Sequence, residues 1–396
     1  KGEGTLSAFQ ALCTALSSCV GNGNIVGVAT AIASGGPGAV FWMWFAGIVG
    51  MATKYAEIVL GIIYREKSDD GTYVGGPMYY LSKGLGWKKI ATLFSILMFL
   101  QISGGALIQS NAVAIVIKDM FKIKPIFSGI MMAGVITAVV IGGVRRLGKV
   151  AERIIPVMTI TYFIGGLIII ISNFNHISYA IINIITCAFN TEAVGGGVLG
   201  YTIKEAMRFG VARGLYSNEA GEGSAPVLHS AAITDHPARQ GLYGILEVFI
   251  DTVVICSLTA FIVLTSGVME MNVSPAVYVI TAFGTIHPMF RYVVGISMVL
   301  FAFSTILSQW YFGNVTLTYI FNSKVASYFK YVFVCLAIMG SLSSLKIVWL
   351  IQDIVLGLMI IPNLIGLLLL NGKVKDATKD FWNMINRGEI KKYVSK

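Results

Sequence analysis

Charge is what this 396-residue sequence has least of. Asp, Glu, Lys and Arg together make up 12%, against roughly 25% in a soluble domain. Hydrophobic residues make up 56%, and the mean hydropathy is +0.78. Too little polar surface is left to face water, so the solvent for most of the chain is lipid. Catalytic patterns are missing too. There is no H-E-x-x-H, no G-x-S-x-G and no phosphate-binding loop, and His176, His229, His236 and His287 are scattered. An intramembrane enzyme needs a nucleophile or a metal set, and neither is present, so enzymatic chemistry has no support. Cys13, Cys19, Cys187, Cys256 and Cys335 lie in apolar stretches without C-x-x-C spacing. They read as small packing residues, with no disulfide or metal role. No signal peptide can be read ahead of Lys1, and a preceding helix is expected to be missing.

What the chain does have is long apolar runs. A helical span needs about 20 such residues, and ten segments can be marked, at 6–34, 37–64, 89–117, 125–143, 150–172, within 178–234, and at 241–266, 287–320, 328–343 and 347–371. The expected fold class is an all-α polytopic membrane protein of about ten transmembrane helices, one transporter domain over 1–396. The net charge of +10 could point to nucleic acid, but its distribution does not. Positive charge gathers in the loop from Tyr64 to Lys89, after the fourth segment (Arg145, Arg146, Lys149, Arg153) and in the tail 372–396. This alternation is the positive-inside pattern, and it places both ends of the chain in the cytoplasm.

Two segments are too irregular for plain helices. The first reads S-S-C-V-G-N-G-N-I-V-G from Ser17 to Gly27, and the sixth carries R-G-L-Y-S-N-E-A-G-E-G-S-A-P from Arg213 to Pro226. Each glycine costs about 1 kcal/mol inside a helix, and lipid cannot satisfy a freed backbone group. Such stretches persist only inside protein or along a polar cavity. The second break follows the first by five spans, as in two inverted five-helix repeats with a site between them, here about 5–172 and 178–371. Close helix packing through glycine is the competing use, but packing does not call for Asn22 and Asn24.

A mid-membrane break exposes N–H groups on one side, suited to a carboxylate, and carbonyls on the other, suited to a small cation. A zwitterionic amino acid with a sodium ion matches both ends of one break. The N–H donors would come from Asn22, Gly23 and Asn24, and the Asn24 side chain would coordinate the cation or hold the loop. Ser304 and Thr305, adjacent in F-A-F-S-T-I-L-S-Q-W from Phe301 to Trp310, either serve a hard monovalent cation or bond back to their own helix. Gln101 and Gln109 reach a substrate or a neighbouring helix. Trp310, with the glycines of the first break, is expected to keep the pocket small. Ionisable residues within spans are suspects by default. Lys54 and Glu57, three apart, are expected to pair. At the second break (Ser217, Asn218, Glu219, Gly221, Glu222, Gly223) the two glutamates are expected to accept free N–H groups. Proton coupling through these glutamates, Glu247, Asp251 or Asp353 is the alternative. A channel would need a continuous polar stripe, which is not found.

These residues resemble the alanine or glycine:cation symporters. Gly21–Ile32, G-G-P-G-A-V-F-W-M-W-F-A-G-I-V-G at Gly35–Gly50 and Arg213–Pro226 are similar to that family's motifs, and the likeness covers the chain. It implies a leucine-transporter-like fold, sodium-driven uptake of alanine or glycine, and one further helix ahead of the first segment. It also implies substrate carboxylate at the N–H groups of Asn22 and Gly23. Sodium would sit among the carbonyls of Ser17, Val20 and Phe301 and the hydroxyls of Ser304 and Thr305. The third segment lacks the tyrosine that leucine-type transporters place beside the carboxylate, and Gln109 stands in for it. The likeness favours an external hairpin at 178–200 and a broken helix at 203–234, with a break near Asn190–Gly197 as the other option.

Overall fold

The computed structural model describes residues 2–189, 202–342 and 346–390. The chain opens with α1 (Ala8–Cys19), started by a reciprocal cap between Ser7 and Gln10. A short interruption and a widened turn at Gly23–Gly27 lead into α2 (Val28–Gly35). Then follow α3 (Gly38–Ile63), a small hairpin of β1 (Glu66–Lys67) and β2 (Tyr73–Val74), α4 (Pro77–Gly84), α5 (Lys88–Phe121), α6 (Pro125–Val140), α7 (Gly143–Ser172) and α8 (Ile177–Phe189). After the undescribed stretch come α9 (Ile203–Asn218), α10 (Ala225–His229), α11 (Pro237–Val248) and α12 (Ser257–Thr265). The chain ends with α13 (Tyr278–Ile286), α14 (Pro288–Ile320), α15 (Ser323–Leu342), α16 (Lys346–Leu369) and α17 (Asn371–Asn386).

Among the described residues seven helices are long and apolar enough to cross a bilayer, and eight if the pair Ala8–Cys19 and Gly23–Gly35, bent by 48°, is one span. Of the ten segments marked in the sequence, three are not continuous spans: the first is that bent pair, and the fourth and sixth fall short. The fourth is the 16-residue α6. The sixth is divided into α9 and the five-residue α10. The break in that sixth segment falls within 203–234; the other option, Asn190–Gly197, lies outside the described residues.

Side chains are sorted for lipid. Leu350, Ile354, Leu358, Ile361 and Leu368 stand exposed along α16, and Val157, Ile160, Ile164 and Ile171 along α7. Their spacing of three, four or seven residues makes one apolar face per helix. Buried instead are Lys54, Glu57, His229, Glu247 and Asp251. A charge buried at membrane depth is expensive unless partnered, so these groups mark where the protein has work to do.

The first half of the sixth segment packs closely against α3. The carbonyl of Ala39 on α3 occupies the space a β-carbon on Gly210 of α9 would need. Gly210→Ala is therefore expected to force α3 and α9 apart at a cost of about 1–3 kcal/mol. Thermal unfolding in detergent should show a clear loss; an unchanged midpoint would mean that the contact is soft. At one end of the molecule the N-terminal strand fastens the chain after α10. The N–H groups of Thr5 and Leu6 donate to the Ala231 carbonyl, and Arg65 donates to the carbonyls of Ser230, Ala232 and Glu3.

Candidate functional site between two helix breaks

At the first break α1 stops at Cys19, and Val20 turns to ψ 95°. The Gly21 N–H, which would continue the helix to the Ser17 carbonyl, donates instead to Asn24 Oδ1 at 2.8 Å. The Asn24 amide nitrogen reaches Asp251 Oδ1 at 2.5 Å. Asn24 is fully buried and stands outside the cavity lining described below. Both ends of its amide serve the shape of the loop. Asp251 also accepts from the hydroxyls of Ser217 and Thr252, which ties the first break to the end of α9.

The second break opens at Glu219, in the left-handed conformation at φ 54°, and passes through Gly221 (φ 90°) and Gly223 (φ 81°) before α10. Those two φ values explain the glycines. At the carbonyl end of α9, Lys54 Nζ donates to the Asn218 carbonyl at 2.5 Å and pairs with Glu247 Oε1 at 2.9 Å. Glu247 Oε2 lies 3.1 Å from His229 Nε2. A cation at a helix C-terminus is favoured by the helix dipole, and here a resident amine supplies it. Lys54 thus pairs with Glu247 and not with Glu57, as the three-residue spacing suggested. Glu57 Oε1 instead accepts the Gly223 N–H at 3.1 Å and the Asn363 amide at 2.6 Å. The two residues share one stretch of α3, but their side chains diverge to opposite ends of the break.

The glutamates of the break also differ from expectation. The free N–H at Gly223 is taken by Glu57 from a neighbouring helix. Glu219 Oε2 accepts the hydroxyls of Ser18, at 3.1 Å, and Ser224, bridging the two breaks. Glu222 is buried, and among the described residues no hydrogen bond reaches its carboxylate.

Between the breaks lies a cavity of about 60 Å³ lined by Gly21 and Gly23, Gln101 and Gln109 of α5, Glu219 and Glu222, Thr305 and Gln309 of α14, Gln352 of α16, and Tyr216. A second cavity of about 280 Å³ shares Gly23, Gln109 and Tyr216 with it and adds Asn22 and Arg213. Asn22 Nδ2 donates to Gln109 Oε1 at 3.2 Å, so α5 is coupled directly to the first break.

α14 runs beside α1 through hydroxyls. Ser17 Oγ is hydrogen-bonded to Ser308 Oγ, which also reaches the Thr14 carbonyl at 3.1 Å. One turn away, Ser304 and Thr305 both donate to the Phe301 carbonyl, at 2.8 and 3.0 Å. That leaves the lone pairs of both hydroxyl oxygens available. A β-carbon on Gly21 would lie only 2.8 Å from Thr305 Oγ1, so the first break and this pair are in close contact. The oxygens gathered here are hydroxyls and carbonyls, a set suited to a hard monovalent cation.

The structure therefore brings Gly23, Gln101, Gln109, Glu219, Glu222 and Thr305 to one cavity, puts Asn22 in the adjoining one, and sets Ser17, Phe301 and Ser304 along the α1–α14 contact, with Val20 as the cap that follows α1. Trp310 is a correction. It faces away, into a separate cavity of about 380 Å³ with Arg145, Tyr311 and Lys330, and cannot set the size of the central pocket. Helical phase gives the reason: Gln309 follows Thr305 by four residues and shares its face, whereas Trp310 is one residue further round. That spacing was the signal that could have found Gln309. Tyr216 and Gln352 carried no comparable signal.

Two broken spans meeting around a polar cavity inside a lipid-facing helical shell define a secondary transporter with the leucine-transporter type of fold, not an enzyme. MhsT, solved in complex with L-phenylalanine, shares this fold at a TM-score of 0.60 and 15% identity, over 93% of this chain and 90% of that one. The chain belongs to the sodium:alanine symporter family, whose model matches residues 1–395. It is 41% identical to the sodium/alanine symporter AgcS of Methanococcus maripaludis, over 98% of this chain and 87% of that protein. It is 34% identical to the probable sodium/glutamine symporter GlnT of Bacillus subtilis, over 98% of this chain and 81% of that protein. The chain is accordingly a multi-pass membrane transporter of amino acids.

Proposed function

We propose that this protein takes up a small neutral amino acid, alanine or glycine, together with sodium by alternating access. The observation that carries the reading is the contact between the first break and α14. There the end of α1 offers freed N–H groups to a carboxylate at Asn22 and Gly23. In this reading the carbonyls of Ser17, Val20 and Phe301 and the hydroxyls of Ser304 and Thr305 would hold the cation; the contact of Gly21 with Thr305 supports it. The second break is less suited to sodium, because Lys54 already serves its carbonyl end. The naming of AgcS as a sodium/alanine symporter supports the same pairing of ion and substrate. The clustering of Lys and Arg in alternate loops supports cytoplasmic placement of both ends of the chain.

Ligand binding raises the apparent stability of a protein by mass action. Alanine is expected to raise the unfolding temperature of the detergent-solubilised protein in sodium chloride and to have little effect in choline chloride. Equal stabilisation in the two salts would remove sodium from the binding step.

A further inference from the structure

The central cavity is longer than the backbone of an amino acid requires. Gln109 is coupled to the first break through Asn22. Gln101 lies eight residues earlier on α5, about 12 Å along the helix, yet lines the same cavity. Gln309 lies four residues, about 6 Å, beyond Thr305 on α14. In an amino acid one carbon separates carboxylate from ammonium. A carboxylate held at Asn22 and Gly23 therefore keeps its ammonium near that end and leaves the far end to the side chain.

That far end is built of acceptors that lack donors. Gln101 Oε1 and Gln309 Oε1 are buried without a hydrogen-bond partner among the described residues. Glu222, 6% exposed, lines the same cavity, and no hydrogen bond or ion pair to its carboxylate is found among the described residues. Buried acceptors left unmade are costly, and a buried carboxylate more so. Relief does not come from the buried amine close by, since Lys54 is held by Glu247 and the Asn218 carbonyl. Three acceptors that line one cavity without a donor are what a ligand's N–H groups would complete.

We propose that Gln101, Gln309 and Glu222 form a side-chain subsite for substrates whose side chain ends in an N–H donor, an ammonium or a carboxamide. The ammonium fits best, because it brings three donors and would pair with a carboxylate at Glu222. This inference rests on the reading that the cavity carries an amino acid with its carboxylate at the first break, and it extends the substrate class beyond alanine and glycine.

The test compares ligands of matched shape by calorimetric titration of the full chain in sodium. 2,4-Diaminobutyrate is set against norvaline, which has a methyl in place of the ammonium, and asparagine against leucine. Each donor-bearing ligand is expected to bind at least about tenfold tighter than its apolar twin, since sites built for a hydrogen bond reject analogues lacking it. Glu222→Gln should erase most of the preference for diaminobutyrate, and Gln309→Leu should weaken diaminobutyrate and asparagine alike. Alanine titrated into the same variants reports whether the rest of the site is intact. Equal binding of the twins would overturn the subsite, as would an equal loss of alanine and diaminobutyrate in the variants. Alanine binding without any binding of diaminobutyrate or asparagine would overturn it too. Selective binding of diaminobutyrate with no binding of alanine would uphold the subsite while removing alanine as the substrate.

Discussion

Alanine in place of both Ser304 and Thr305 is expected to abolish the sodium dependence of substrate binding. Coupling between an ion and a substrate is reciprocal, and a value on the order of tenfold or more in affinity is typical. The double variant should lose that factor and bind alanine at every sodium concentration as the parent does without sodium. The two hydroxyls offer the side-chain oxygens of the candidate set, the remainder being backbone carbonyls that substitution cannot remove. A methyl cannot coordinate a hard cation. The structural cost is modest, because each hydroxyl currently returns its proton to the Phe301 carbonyl of its own helix. Titration of alanine over a series of sodium concentrations reads the effect. If the double variant still tightened with sodium as the parent does, the cation would have to sit elsewhere.

Lys54→Met should produce the largest loss of stability, about 3–5 kcal/mol. The amine is fully buried and holds Glu247 at 2.9 Å with both partners shielded from solvent. It also caps the Asn218 carbonyl where α9 ends. Removing it strands a carboxylate and a helix terminus inside the membrane domain. Replacing the pair together, as Lys54→Met with Glu247→Leu, removes the stranded charge and should recover part of the loss, since apolar replacements of buried ion pairs are often tolerated. Recovery should be incomplete, because Glu247 also faces His229 and Cys19. Thermal unfolding of the parent, single and double variants measures this. A single variant as stable as the parent would show that the ion pair contributes nothing net.

The sequence made the membrane class and both breaks legible because each rests on a strong local signal. A 56% apolar composition admits few solvents other than lipid, and the runs around Gly21–Asn24 and Gly221–Gly223 contradict uninterrupted helix. The left-handed φ values at Gly221 and Gly223 and the diverted Gly21 N–H are the structural counterparts of those runs. Partnerships between distant helices were not legible. Lys54 and Glu57 sit three apart and invite pairing, but their partners, Glu247 and Asn363, come from α11 and α16 and could be assigned only once the helices were packed. Glu57 took the break N–H that the glutamates next to it were expected to take. Trp310 has the size to limit a pocket, but its phase relative to Thr305 turns it into a separate cavity.

Uptake of labelled alanine into proteoliposomes under separately imposed gradients tests the central claim most directly. With sodium outside, none inside and no pH difference, alanine should accumulate above its external concentration, and collapse of the sodium gradient should stop it. A proton gradient in sodium-free buffer should drive no accumulation. Accumulation driven by protons alone, with no response to sodium, would contradict the account and move the coupling to the buried carboxylates around the second break.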